Sequence, residues 1–169
     1  MAFIRRTLDD TPVREFGIQF TKDKFGYDFI SHPIKNKIDL INPDDETFGA
    51  EMEGGGWEGN FWDNEKYHGI SNIGEATINI PIRKVKYWYN KTDNGLSPNK
   101  NKHLFIRTNK DFTQAIVIKP KTIKDENKII WTKFMPSNSR EVESWMSFRR
   151  KDVETYNLKN GKWIKERKK

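Results

Sequence analysis

The chain contains no cysteine, which excludes disulfides, thiolate zinc sites and a cysteine nucleophile together. Its three histidines, His32, His68 and His103, are scattered and do not make a histidine-built metal site. Any metal should therefore be held by oxygen. No uninterrupted run of about 18 apolar residues occurs. The N-terminal MAFIRRTLDD also lacks the apolar centre of a secretory signal. The expectation is an intracellular, cytoplasmic protein with no membrane partner. Mean hydropathy is low, at -0.91, and 33% of residues are charged, a composition that leans toward disorder. What offsets it is the aromatic content of 13%, including 11 Phe and 6 Trp, which supplies the burial area that disordered chains lack. With 169 residues this predicts one folded domain with one modest core.

The net charge of +7 is distributed unevenly. Residues 43–63, PDDETFGAEMEGGGWEGNFWD, hold seven acids and no Lys or Arg. Residues 83–110 hold eight basic residues, among them Arg83, Lys84, Lys86, Arg107 and Lys110, against the single acid Asp93. From residue 144 onward nine basic residues, including Arg149 and Arg150, face three acids. An acidic pocket between basic stretches suits phosphodiester chemistry: carboxylates collect divalent cations, and the surrounding Lys and Arg hold phosphates. A simple polyanion binder needs no carboxylates.

Along the chain, residues 9–24 read as a helix, with Thr11 as N-cap, Pro12 in the first turn, and Val13, Phe16 and Phe20 at helical spacing. Gly17 argues against it. Three short extended segments follow, at 26–30, 37–42 and 48–53, and read as an antiparallel meander. Residues 57–76 read as a long irregular loop able to cover a site. Residues 78–90 fit a strand through Ile78, Ile80 and Ile82 or a helix from Pro81; the helix is preferred. Residues 94–101 read as loop, 103–109 and 113–120 as a hairpin, and the segment KIIWTKF as a further strand. A short helix could begin at Ser139, and the basic tail reads as a turn, a packed segment and a frayed end. The organisation expected is a core over 9–119 with a basic C-terminal extension over 120–169.

The chemistry concentrates in the meander. Asp39 lies in the apolar run Ile38–Ile41, and Glu51 and Glu53 alternate in the next segment, so all three carboxylates can share one face. Three like charges that close repel strongly, and a dication is the simplest relief. An ordinary solvated acidic face is the alternative.

The pattern Asp39, then Glu51-Met52-Glu53, resembles the PD-(D/E)XK nuclease superfamily, which is restriction-endonuclease-like. Its core runs helix, three strands, helix, strand (αβββαβ), with an Asp on the second strand and an acid-x-Lys triplet on the third. The resemblance spans roughly residues 9–119 and implies an α/β fold of the α+β kind, a central mixed sheet flanked by helices. Here Glu53 stands where the family carries Lys. The resemblance implies a metal-dependent DNA endonuclease of the kind found in phages and mobile elements. Asp39, Glu51 and the Met52 carbonyl would hold Mg2+ or Mn2+, with Glu53 or Glu15 as further ligands, and Lys84 or Lys86 would supply the missing positive charge. DNA is a better candidate than RNA, and a homodimer is possible. Arg83, Lys84, Lys86, Arg107, Lys110, Arg149 and Arg150 would contact phosphates. An inactive nucleic-acid binder of the same fold is the alternative; a cation- or sugar-binding module using Trp57 and Trp62 is a third reading. Trp57 and Trp62 are otherwise expected to pack the loop onto the sheet, His68 to be an ordinary loop histidine, and Trp131, Trp145 and Trp163 to lie in the core.

Overall fold

A computed structural model describes residues 10–34, 37–64, 69–70, 74–134 and 143–167. Helix α1 spans Thr11–Phe25 and is followed by strands β1 (Ile30–Ser31), β2 (Leu40–Asn42) and β3 (Asp45–Gly54). Then come β4 (Gly69–Ile70), β5 (Ala76–Pro81), a 3₁₀ turn over Ile82–Tyr87, and the hairpin of β6 (Tyr89–Thr92) and β7 (Gly95–Pro98). After these lie β8 (Leu104–Thr108), β9 (Gln114–Ile118), the short helix α2 (Pro120–Ile123), β10 (Ile130–Phe134), β11 (Glu143–Arg149), β12 (Glu154–Lys159) and β13 (Lys162–Lys165).

The architecture is mixed α+β. A seven-stranded sheet runs β1-β2-β3-β8-β9-β12-β13, antiparallel except where β8 lies parallel to β3. That parallel step requires a crossover, and the whole of residues 55–103 supplies it. A four-stranded antiparallel sheet, β10-β11-β5-β4, is the second large element. The central strands are buried on both faces, which is why AIVI of β9 reads as a continuous apolar run and not an alternation. Ala50, Met52, Leu104, Ile106, Ala115 and Val117 face one way, onto α1 through Phe20. Phe105, Ile116 and Ile118 face the other way, onto Ile78 and Ile80 of β5 and Met146 and Phe148 of β11.

Gly17, the residue that weakens the helical pattern, is what lets α1 lie close: a Cβ there would stand 2.6 Å from Met52 Sδ and 2.9 Å from Leu40 Cδ1. Its cost to the helix is offset by contact with β2 and β3.

Several expectations are corrected. The first meander strand is only Ile30–Ser31, because residues 26–29 leave the helix without a ladder partner. The second begins at Leu40, so Asp39 precedes the strand instead of lying within it. The segment 78–90 is both things in succession: β5 runs to Pro81, and a six-residue 3₁₀ turn, not an α-helix, follows. One face of the central sheet is therefore covered by a helix and the other by a second sheet. Residues 95–98 are a hairpin strand, since Asp93 and Asn94 supply the turn. Residues 143–149 are strand, paired to both β5 and β10; Ser139 lies outside the described residues. Beyond residue 119, β12 and β13 complete the seven-stranded sheet. Trp131 is 49% exposed, on the edge strand β10; Trp145 is half-buried, and Trp163 packs against Phe16 and Phe20. Trp57 and Trp62 are buried, donating to Gln114 Oε1 and Thr155 Oγ1 at 3.0 Å each.

Candidate active site

β2 and β3 pair Leu40 with Ala50, so Asp39 lies one step beyond that pair, opposite Glu51. The link is direct: the Met52 N–H donates to Asp39 Oδ2 at 2.8 Å. Alternation along β3 puts Ala50 and Met52 in the core on the α1 side and sends Glu51 and Glu53 to the opposite face. There Lys84, on the 3₁₀ turn, brings its Nζ to 3.2 Å from Glu51 Oε2 and 3.5 Å from Glu53 Oε2. Arg107 on β8, registered against Glu53 by the parallel pairing, places Nη2 2.5 Å from Glu53 Oε1. Asp39 has its own cation, Arg14 of α1, whose Nη2 donates to Oδ1 at 2.9 Å while Nη1 reaches Ser31 Oγ and the Asp39 carbonyl.

Glu51 is the most buried acid of the group, 7% exposed, and its Oε1 has no hydrogen-bond partner. Burial, and then the neighbouring negative charge of Asp39, push its carboxyl up to about 7 against the opposing pull of Lys84. It is a group balanced between protonated and charged near neutrality.

No family of proteins, no curated protein and no solved structure matches this chain. The site therefore has to be read from its own geometry.

Of the residues singled out in the sequence, Asp39, Glu51, Glu53 and Lys84 come together, with Met52 contributing backbone. Lys86 does not join them; it is exposed, with Nζ 5.4 Å from the centroid of the Tyr87 ring. Glu15 is exposed, and its neighbour Arg14 is the helix residue that reaches Asp39. Arg107 is mostly buried and held by Glu53 and the Asn79 carbonyl, so it is a partner of the acids more than a phosphate contact. Arg83 is exposed on the 3₁₀ turn, and Lys110 stands 3.7 Å from Glu58. Arg149 and Arg150 pair with Glu75 and Glu166 beside a separate cleft of about 340 Å3. His68 lies outside the described residues. Sequence reasoning missed Arg14, whose only signal is a basic side chain on the helix that precedes the meander. It also missed Tyr87, whose hydroxyl feels the charges of Glu51 and Asp39.

Among the described residues no group of three Asp, Glu or His side chains is spaced to enclose a metal ion. Two carboxylates and a carbonyl are the donors available, and the orphaned, buried Glu51 Oε1 is the feature that fits a cation. Arg14 and Lys84 now carry the positive charge that such a cation would bring.

Proposed function

We propose that this protein is a metal-dependent phosphodiester hydrolase of the PD-(D/E)XK kind, acting on DNA. The observation that carries the reading is the Asp39–Glu51–Lys84 cluster, set on an antiparallel meander whose third strand is joined by a parallel fourth after a crossover. The resemblance implies helix, three strands, helix, strand; α1, β1, β2, β3 and β8 follow that order here, with strands β4–β7 and a 3₁₀ turn where the second helix is expected. Asp39, Glu51 and the Met52 carbonyl would hold Mg2+ or Mn2+. When bound, such an ion supplies an activated water and offsets charge on the phosphate oxygens.

The chain's own residues do the rest. Lys84 Nζ, tethered by Glu51 and Glu53, holds a fixed positive charge beside the ligands, where it can meet a phosphate oxygen. Glu53 takes no ligand role in this arrangement; it orients Lys84 and Arg107, so a Glu in the family's Lys position is matched by a Lys arriving from the 3₁₀ turn. Glu51 releases its proton before it acts as an anionic ligand. Metal uptake is therefore expected to release protons and to strengthen as pH rises through about 7. Mn2+ binding followed by electron paramagnetic resonance at pH 6 and pH 8 checks this; equal affinity at both counts against Glu51 as a ligand.

The deciding test is incubation of supercoiled, linear and branched DNA with Mg2+, Mn2+ or EDTA. Cleavage is expected only with metal. Asp39→Asn and Glu51→Gln should each lose at least about a hundredfold in rate while retaining DNA binding in EDTA. Unchanged cleavage by both variants overturns the assignment.

A second reading, an inactive nucleic-acid binder on the same frame, is favoured by one observation: Asp39 and Glu51 each have a cationic side-chain partner, Arg14 and Lys84. Absence of cleavage with every substrate, together with a steep fall of DNA affinity with salt, would select it.

A further inference from the structure

A cleft of about 530 Å3 opens between the β1–β2 connection and the 3₁₀ turn that carries Lys84. His32 and Lys37 from the β1–β2 connection, Ile41 of β2, Lys86 and Tyr87 of the 3₁₀ turn, and Asn101 ahead of β8 line it. Two observations tie it to the acids. In a 3₁₀ helix residues three apart project to the same side, so Lys84, which grips Glu51 and Glu53, and Tyr87, which lines the cleft, point the same way from one turn. Tyr87 also feels the acids: its hydroxyl is pushed up to about 12 by burial and then by the charges of Glu51 and Asp39.

The lining has a definite chemistry. Tyr87 and Ile41 offer flat and apolar surface. Lys37 and Lys86 are both exposed cations, and Lys86 Nζ stands 5.4 Å from the Tyr87 ring centroid, so charge and ring are presented together. His32 accepts the Ile34 N–H at Nδ1, at 3.1 Å, which leaves Nε2 as the protonated nitrogen of the neutral ring and therefore a donor. Glu46 is the one acid lining the cleft among the described residues. A flat heteroaromatic group with an anionic tail matches this set, and the volume suits one nucleotide. A base paired inside a duplex cannot enter such a cleft; an unpaired or splayed one can.

We infer that this cleft receives an unpaired DNA nucleotide, its base against Tyr87 and its phosphate between Lys37 and Lys86, next to the phosphate presented to Asp39 and Glu51. The protein is thus selective for single-stranded or locally unpaired DNA. The choice of ligand rests on the nuclease reading; the cleft and its lining do not.

The test uses the full chain in EDTA, where metal-dependent cleavage is silent. Fluorescence anisotropy compares a labelled oligothymidine with a blunt duplex of equal length. The single strand should bind about tenfold more tightly, and Tyr87→Leu and Lys37→Glu should each remove about that factor for the single strand while leaving the duplex unchanged. Tyr87 is partly buried and its replacement can disturb folding, so the exposed Lys37 provides an independent arm. An oligonucleotide carrying 5-iododeoxyuridine should photo-crosslink to Tyr87 or His32. Equal affinity for the two DNAs, or native single-strand binding by both variants, or crosslinks confined to other surfaces, overturns the inference. Selective binding without any cleavage in Mg2+ sinks the nuclease reading and leaves the cleft standing. Cleavage with no effect of either cleft variant on single-strand binding sinks the cleft alone.

Discussion

Glu51 sets the proposed metal chemistry against stability. Its folded-state carboxyl titrates near 7 against an ordinary 4.5, so the folded chain holds this proton more tightly than the unfolded chain. Stability contributed here is full below about 4.5, falls as pH rises toward 7, and stays low above it. The difference is on the order of 3 kcal/mol from the size of the shift, an upper figure because Lys84 shares the site. Glu51→Gln, a neutral mimic, should therefore raise the melting temperature at pH 8, with the gain shrinking toward pH 4.5, while lowering the proposed metal-dependent cleavage at least about a hundredfold. A melting temperature that rises equally at pH 5 and pH 8 would show that the carboxylate is not strained. Lys84→Met tests the same cluster from the other side: Glu51 loses its cation while Glu53 keeps Arg107, and the chain should lose about 3 kcal/mol at neutral pH, as a broken buried pair does. At this scale the acids were legible because alternating carboxylates in an apolar strand are costly and so noticeable. Arg14 was not, since one basic side chain among the 31 Lys and Arg of the chain carries no mark of where it will point.

Among the elements, the β2–β3 pair is the most tightly constrained. A Cβ on Gly49 would lie 2.1 Å from the Leu40 carbonyl oxygen, a backbone atom that cannot yield without opening the ladder. The register shift between Ile41 and Asn42 falls at the same place. Gly49→Ala should therefore cost at least about 2–3 kcal/mol and displace Asp39 from Met52 N–H; chemical denaturation measures the first and amide exchange at Met52 the second. The loop after β3 is pinned by Gln114, which accepts from Trp57 Nε1 and the Phe61 N–H and donates to Asn60 and Asn157. Gln114→Ala would orphan several buried groups, so a loss of about 3 kcal/mol is expected, with faster amide exchange over 57–63. The hairpin of β8 and β9 and the length of α1 were readable from periodicity. The 3₁₀ turn was not: Pro81 announces a helical start, and nothing local distinguishes a six-residue 3₁₀ turn from the first turns of an α-helix. Strand 143–149 was equally hidden, because its partner β5 is distant in sequence, and pairing of that range is set by tertiary contact.

For the molecule as a whole, two buried titrations oppose each other. His103, 3% exposed, is held down to about 4 by burial and by Lys124. Its folded state binds the proton less tightly, so its contribution is full above 6.5 and is lost as pH falls toward 4. Glu51 does the reverse across an overlapping interval. The native chain should then show a shallow stability profile between pH 5 and 6.5, and Glu51→Gln should uncover a steeper loss on acidification over that range. Thermal unfolding across the interval checks it; parallel profiles for native and variant would remove one of the two groups from the account. The composition predicted a folded chain in spite of its low hydropathy, and the aromatic clusters on both faces of the central sheet explain why. What composition could not convey is that the face opposite α1 is closed by strands arriving from two remote stretches, 76–81 and 143–149.

The hexapeptide Ile82–Tyr87 has an implication for how this chain tolerates change in length. Three residues complete one of its turns, so deleting or adding a single residue ahead of Lys84 would swing that side chain by about a third of a revolution and leave Glu51 facing an apolar neighbour or solvent. Homologues should accordingly keep the count between Pro81 and Trp88 fixed.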